Sequence, residues 1–233
     1  MKYSFTIYFL LNFFYSFPQT CVIAKKTNDA IYVGADSRVT TTTITNGIKT
    51  IDTSSIRKIY FFDNVGYAII GNYGTTAIDM LNRDLRKDAT AKSIQDAYAN
   101  FFFSLSDSLR ALEHKNPKEH HDILEKGKES ISQLIIFGRE ADSLFIYSIK
   151  IYFDEKENNI KFQPSVRTDL MYGGKVEEIR DTLETKSVWG NCKEKQMNKT
   201  LTHLLNISSS HHPQEVGGKF WILKVTRKEM RWL

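Results

Sequence analysis

The sequence is poor in cysteine, proline and glycine. Its 233 residues include only two cysteines, Cys21 and Cys192, which are too few for a disulfide framework. The sequence does not decide whether these two form a single disulfide. These cysteines form no CxxC pair, and neither they nor the six histidines have zinc-ligand spacing. Four prolines and twelve glycines are too few for a fibrous or disordered chain. We therefore predict a globular protein without a metal centre.

Long hydrophobic runs are also missing. The most apolar segment, residues 5–17, is interrupted by polar residues and is shorter than the roughly 20 residues of a membrane span, so we predict no integral membrane association. It follows Lys2 and is typical of the hydrophobic region of a signal peptide. The residues before Thr20 do not form a small-residue cleavage site. Residues 1–19 are therefore either a signal peptide of a secreted or periplasmic protein, or a propeptide of a cytoplasmic one.

The charge of the chain is moderate and mixed in sign. A net charge of +5 arises from 32 Lys and Arg against 27 Asp and Glu, spread along the whole sequence. This mixture favours a solvated basic surface over a nucleic-acid interface, and no DNA-binding or RNA-binding motif is present. With 41% hydrophobic residues, residues 20–233 are long enough for one domain with its own core.

Hydrophobic patterning predicts alternating groups of strands and helices. Residues 20–26 and 30–37 are apolar runs joined by the turn residues TND, and this pattern predicts a hairpin. A threonine-rich segment, residues 40–52, carries an Asn-Gly turn signal. Apolar residues recur at helical spacing after Gly74. The order of strands, two helices, strands, two helices and a final strand predicts an α+β protein with two sheets covered by two helical layers.

The junction between Gln19 and Thr20 decides which chemistry is available. A hydroxyl is a weak nucleophile unless a base accepts its proton. A threonine that begins a chain carries its own base, because a free α-amine has an ordinary pKa of about 8. Cleavage before Thr20 would therefore create a self-sufficient nucleophile, whereas cleavage one residue later would offer the thiol of Cys21 instead.

The segment TCVIAKKTNDAIYVGADSRVT, residues 20–40, resembles the opening of proteasome β-subunits and related N-terminal-nucleophile hydrolases. In that family the catalytic threonine begins the mature chain after autoprocessing. An Ala-Asp-Ser-Arg motif ends the second strand, and its Asp lies sixteen residues after the threonine. Asp36 stands in that register with Thr20, and Arg38 matches the arginine of the motif. The resemblance covers residues 20–225 and implies a four-layer αββα sandwich.

Two further site residues follow from the resemblance. The segment SIRKIYFF, residues 55–62, matches the strand that carries the catalytic lysine of the family and nominates Lys58, although the loop before it is longer here. The segment YAIIGNYGTT, residues 67–76, places Gly71 where a backbone N–H of the family stabilises the tetrahedral oxyanion. The resemblance also implies that Lys58 tunes the nucleophile and that Asp36 positions Lys58.

The sequence departs from the family at three supporting positions. In LMYGGK, residues 170–175, Gly173 stands where active β-subunits have a serine. In HPQEVGG, residues 212–218, Pro213 and Val216 stand where they have an aspartate and a second serine. Such residues hold a site in productive geometry, so their replacement implies either lost activity or a different supporting network.

The resemblance implies a threonine-type amide hydrolase, and its expected substrates are peptides. Two alternatives remain: a non-catalytic proteasome-like subunit that acts in assembly, and a small-molecule amidase or acylase. The resemblance further implies a homo-oligomer, and it implies no metal or organic cofactor.

Overall fold

The computed structural model describes residues 20–45, 48–71, 74–118, 120–121, 131–154, 156–157, 159–190 and 193–233. The interpretation of residues 1–19 and the pairing of Cys192 therefore fall outside the described residues.

Twelve strands of the described residues form three sheets in which every strand pair is antiparallel. The first sheet has, in spatial order, the strands β10 (Leu170–Gly174), β1 (Cys21–Lys26), β2 (Ala30–Ala35), β11 (Trp221–Thr226) and β12 (Met230–Trp232). The second has β5 (Ile59–Phe61), β6 (Val65–Gly71), β7 (Ser132–Glu140), β8 (Ser143–Asp154) and β9 (Asn159–Pro164). The third is a two-stranded ribbon of β3 (Arg38–Thr45) and β4 (Ile48–Ser55).

The described helices fall into two groups. The first group is α1 (Gly74–Asp84) and α2 (Ala91–Lys115). The second is a 3₁₀ helix (Glu177–Ile179), α3 (Arg180–Glu184), α4 (Lys186–Trp189) and α5 (Glu194–His211). Reciprocal hydrogen bonds between Thr90 and Ser93 cap the start of α2. None of the helices in the described part of the chain has the length and apolar character that a membrane span requires.

The prediction of a four-layer αββα sandwich is wrong. The described residues form a mixed structure of three antiparallel sheets and six helices, which is not a clear four-layer sandwich. The third sheet arises because β3 and β4 pair with each other from Arg38↔Ser55 to Thr45↔Ile48. The second helical group is divided into four pieces where the sequence pattern predicts two. Strand patterning does not reveal which strands pair, so a separate ribbon cannot be told from strands of a larger sheet.

Buried apolar side chains form three clusters. One lies between the second sheet and α1 and α2, and another lies between the first sheet and the second helical group. The third joins the two five-stranded sheets and contains residues such as Val22, Ala35 and Ile135. Ala35 is followed directly by the buried carboxylate of Asp36, so the polar cluster described below begins where this apolar contact ends.

Candidate active site

The carboxylate of Asp36 organises a buried polar cluster at the end of β2. Asp36 is fully buried, and Thr20 and Lys58 are each only 2% exposed. Asp36 Oδ1 accepts hydrogen bonds from Thr20 Oγ1 at 2.5 Å, from Lys58 Nζ at 2.9 Å and from the backbone N–H of Cys21 at 3.0 Å. Three of the residues named by the sequence resemblance are therefore in direct contact.

The second carboxylate oxygen of Asp36 is equally well bonded. Oδ2 accepts from Lys58 Nζ at 3.0 Å and from the backbone N–H groups of Arg38 and Gly217, each at 3.1 Å. With three hydrogen bonds on each oxygen, the carboxylate of Asp36 is fully satisfied within the protein.

The hairpin of β1 and β2 explains the sixteen-residue spacing between Thr20 and Asp36. In its register Val22 lies opposite Ala35, and the next residue pair is joined by a hydrogen bond from Asp36 N to Cys21 O at 3.3 Å. Thr20 precedes β1 and Asp36 follows β2, so both lie just beyond the paired strands, and there Thr20 Oγ1 reaches Asp36 Oδ1. The spacing therefore follows from the length of the hairpin.

The ribbon of β3 and β4 returns the chain to the same place. Its base is closed by the pairing of Arg38 with Ser55 and by a hydrogen bond from Ile56 N to Ser37 O at 2.9 Å. Lys58 follows two residues later and reaches Asp36. The longer loop noticed in the sequence before Lys58 is this ribbon, and because its ends meet it does not displace the lysine.

Burial and charge oppose each other at Lys58. Burial lowers the pKa of its ammonium group, while the charge of Asp36 and its hydrogen bonds raise it. The side chains of Lys58 and Asp36 are 3% and 0% exposed. The charge on Lys58 therefore depends on its partner far more than the charge of a lysine in a surface ion pair does. Lys58 and Asp36 must be considered as one unit.

The structure places Cys21 in a different environment from Thr20. Its free thiol is fully buried in the cluster between the first sheet and the second helical group, near Ser208 of α5. Burial raises the pKa of this thiol to about 12. Because the thiolate is the reactive form, this raised pKa makes the thiol of Cys21 an unreactive core group in this fold.

Gly71 ends β6 with a backbone conformation that favours glycine. Its φ is +97°, and a Cβ there would lie 2.8 Å from the carbonyl oxygen of Ile131. The preceding residue, Ile70, lies against Gly173, which pairs with Val22 of β1. Gly71 is therefore linked to β1, the strand that follows Thr20, through Ile70 and Gly173.

Arg38 takes part in the cluster chiefly through its backbone. The backbone N–H of Arg38 donates hydrogen bonds to Asp36 Oδ2 and to the carbonyl oxygen of Gly217, the latter at 3.0 Å. Its guanidinium lies beside Gly217, where a Cβ would be 3.0 Å from Arg38 Cζ. The matched arginine thus packs against the glycine that donates to Asp36.

Gly217 and Gly218 have a role at the site that was not predicted from the sequence. Gly217 donates its N–H to Asp36, and Gly218 (φ +73°) leaves room for the hydroxyl of Ser37, which would lie 2.5 Å from a Cβ. The hydroxyl of Ser37 accepts hydrogen bonds from Ser55 Oγ and from the N–H of Lys219, both at 2.8 Å. The adjacent glycines were the signal, because two in succession mark a close approach of backbones.

The three positions that depart from the family lie in different surroundings. A Cβ on Gly173 would lie 2.4 Å from Gln133 Oε1, so a glutamine side chain occupies the space that a serine there would need. Pro213 is exposed, and Val216 is a buried apolar core residue. The six hydrogen bonds to Asp36 given above include none from these three positions, whereas the backbone N–H of Gly217 supplies one.

A group of potential metal ligands occurs among the residues that the structure describes. Glu177, Glu178 and His212 place one ligand atom each within 4.8 Å of one another. Both glutamates are exposed, and His212 Nε2 is 2.8 Å from Glu178 Oε1. This contact is accounted for by a histidine–carboxylate hydrogen bond, and we assign no metal to it.

No family model matches the chain, and no curated protein matches it at a significant level. The assignment of a function therefore depends on the residues and their geometry.

Proposed function

We propose that the protein is a threonine-type amide hydrolase of the proteasome β-subunit class, with Thr20 as its N-terminal nucleophile. The observation that carries the proposal is the direct contact of Thr20 Oγ1 and Lys58 Nζ with the same buried carboxylate of Asp36. A buried ion pair is costly to maintain, and a hydroxyl held against it is typical of a catalytic arrangement.

The reaction begins after cleavage of the bond between Gln19 and Thr20. The Thr20 hydroxyl oxygen attacks the substrate carbonyl carbon, and its proton passes to the new α-amine. The tetrahedral intermediate then collapses, the C–N bond breaks, and the leaving amine takes that proton. Water hydrolyses the resulting ester on Thr20 and releases the acid, which regenerates the hydroxyl.

Lys58 and Asp36 support the attack electrostatically. The ammonium of Lys58 and the hydroxyl of Thr20 bond the same oxygen of Asp36, and a positive charge this close lowers the proton affinity of the hydroxyl oxygen as it attacks. Asp36 holds that ammonium with two hydrogen bonds, at 2.9 and 3.0 Å. Since both groups are buried, their interaction is stronger than it would be in water.

Gly71 is the proposed oxyanion donor. Just before β6, the carbonyl of Asn64 accepts a hydrogen bond from Arg139 of β7, and the carbonyl of Val65, the first residue of β6, accepts one from Phe62, which follows β5. Backbone groups alternate along an antiparallel strand, so Gly71, like Val65, directs its N–H away from β7. That side is the one on which Lys58 precedes β5, which supports a donor facing the cluster.

The proposal includes peptides as the substrates and a homo-oligomer as the assembled form of the protein. The replacement of the three supporting positions favours a second candidate, the non-catalytic proteasome-like subunit. Either candidate would place the same residues around Asp36, so activity must separate them.

The test is a panel of fluorogenic peptides assayed on the processed protein and on the Thr20→Ala variant. We expect the processed wild type to release fluorophore and Thr20→Ala to lose turnover while keeping the wild-type circular dichroism spectrum. Thr20→Ser is the matched control, since it keeps the hydroxyl. If the processed wild type cleaves no peptide and no simple amide, the enzyme proposal fails and the non-catalytic subunit becomes the better account.

A further inference from the structure

A buried serine hydroxyl holds the peptide bond between Ile70 and Gly71. Ser132 Oγ donates a hydrogen bond to the carbonyl oxygen of Ile70 at 2.9 Å. That carbonyl and the N–H of Gly71 belong to one planar trans peptide unit, so they point in opposite directions. Whatever fixes the Ile70 carbonyl also fixes the direction of the Gly71 N–H.

The hydrogen bond from Ser132 acts in the direction that this geometry requires. By the alternation along β6, the carbonyl of Ile70 points toward β7 and the N–H of Gly71 points toward the side of Lys58. Ser132 lies opposite Gly71 in β7 and pulls the carbonyl of Ile70 toward its own strand. This hydrogen bond therefore helps to fix the orientation of the peptide that carries the proposed oxyanion donor, the N–H of Gly71.

A tyrosine from the helical side completes the arrangement. Tyr98 of α2 donates its hydroxyl proton to Ser132 Oγ at 2.8 Å, and both residues are fully buried. The ring of Tyr98 packs edge-on against Phe102 at a centroid distance of 4.9 Å, which fixes its position. With Tyr98 as donor, the single proton of the serine hydroxyl is left for the Ile70 carbonyl.

We propose that Ser132 and Tyr98 are positioning residues that aim the Gly71 N–H at the oxyanion of the reaction. The inference rests on the proposed function, because it gives those hydroxyls a role in the same acyl transfer. It predicts a loss of transition-state stabilisation rather than of substrate binding, since an oxyanion donor acts on charge that develops only during the reaction.

The experiment compares Ser132→Ala and Tyr98→Phe with the wild type on a fluorogenic peptide that the wild type cleaves. We expect Ser132→Ala to lower kcat by roughly ten-fold or more with KM nearly unchanged, and Tyr98→Phe to act in the same direction by a smaller factor. Tyr67→Phe is the matched control. It also removes a buried tyrosine hydroxyl with a hydrogen bond, but this bond runs to Asn82 of α1 at 2.8 Å and not to the Ile70–Gly71 peptide, so the substitution should leave kcat unchanged.

A spectroscopic measurement reports on Gly71 itself. The dipeptide Ile-Gly occurs once in the sequence, at Ile70–Gly71. Protein labelled with carbonyl-¹³C isoleucine and ¹⁵N glycine therefore gives one correlated amide signal, that of Gly71. We expect this signal to move in Ser132→Ala and Tyr98→Phe and to stay in place in Tyr67→Phe.

Three results would overturn the inference while the proposed function stands: an unchanged kcat in Ser132→Ala, an equal loss of kcat in Tyr67→Phe, or an unmoved Gly71 signal in Ser132→Ala. An inactive processed wild type is a separate outcome that overturns the proposed function, and the positioning role with it.

Discussion

Asp36→Asn is expected to destabilise the protein by about 3–5 kcal/mol and to lower turnover by a factor on the order of a hundred or more. The substitution leaves the ammonium of Lys58 buried without its counter-charge. It also replaces one carboxylate oxygen, an acceptor, by an NH₂ group, a donor, at a position where the surrounding groups are donors. On the Oδ1 side these are Thr20 and Cys21, and on the Oδ2 side they are Arg38 and Gly217. Either orientation of the amide therefore leaves buried donors facing a donor.

Urea denaturation and peptide hydrolysis, measured on the same preparations, check this result. Asp169→Asn is the matched control, because Asp169 pairs with Lys26 at 2.9 Å but is 66% exposed. A surface pair of this kind contributes about 0–1 kcal/mol, so the control should be close to wild type in stability and turnover. Equal stability losses in the two variants would contradict the account of Asp36.

Lys58→Met is expected to abolish measurable turnover but to cost less stability than Asp36→Asn. It removes the charge beside the hydroxyl of Thr20 while keeping a side chain of similar length. The carboxylate of Asp36 would keep four donors besides Lys58, so its charge is not left without partners. We expect a loss of roughly 1–3 kcal/mol, which leaves the fold intact. Lys26→Met serves as the control.

The difference in the free energy of unfolding between the wild type and Lys58→Met should depend on pH, and the direction of that dependence follows from the pKa of Lys58. Burial lowers the pKa of Lys58 below the ordinary value of 10.5, so the unfolded chain binds this proton more readily than the folded chain. The contribution of Lys58 to the free energy of unfolding therefore rises as the pH increases toward 10.5 and falls as the pH decreases through the lowered pKa. The stability of the wild type relative to Lys58→Met should increase over that window. A difference that decreases with pH there would contradict the assigned direction.

Local sequence was sufficient to predict the centre of the candidate site. The hairpin of β1 and β2 is short and regular, so the spacing of Thr20 and Asp36 translates directly into contact. Lys58 was assigned by a local match, and the contact with Asp36 is present because the ribbon before it closes on itself. These are consequences of antiparallel pairing, which sequence spacing expresses well.

The wider architecture could not be predicted in the same way. The four-layer sandwich was wrong because pairing partners, such as β3 with β4, are decided by contacts that alternation does not encode. The role of Gly217 was missed because it acts through a backbone N–H, which any residue but proline carries. The hydroxyls of Ser132 and Tyr98 lie 34 residues apart in sequence, and only the packing of α2 on the second sheet joins them.

The N-terminal residue of the mature protein tests the central claim most directly. Intact-mass measurement and N-terminal sequencing of the purified chain should give a start at Thr20, because only then is an α-amine available to accept the proton of the hydroxyl beside Asp36. A chain that retains residues before Thr20, or one that begins at Cys21, would contradict the account of Thr20 as the nucleophile.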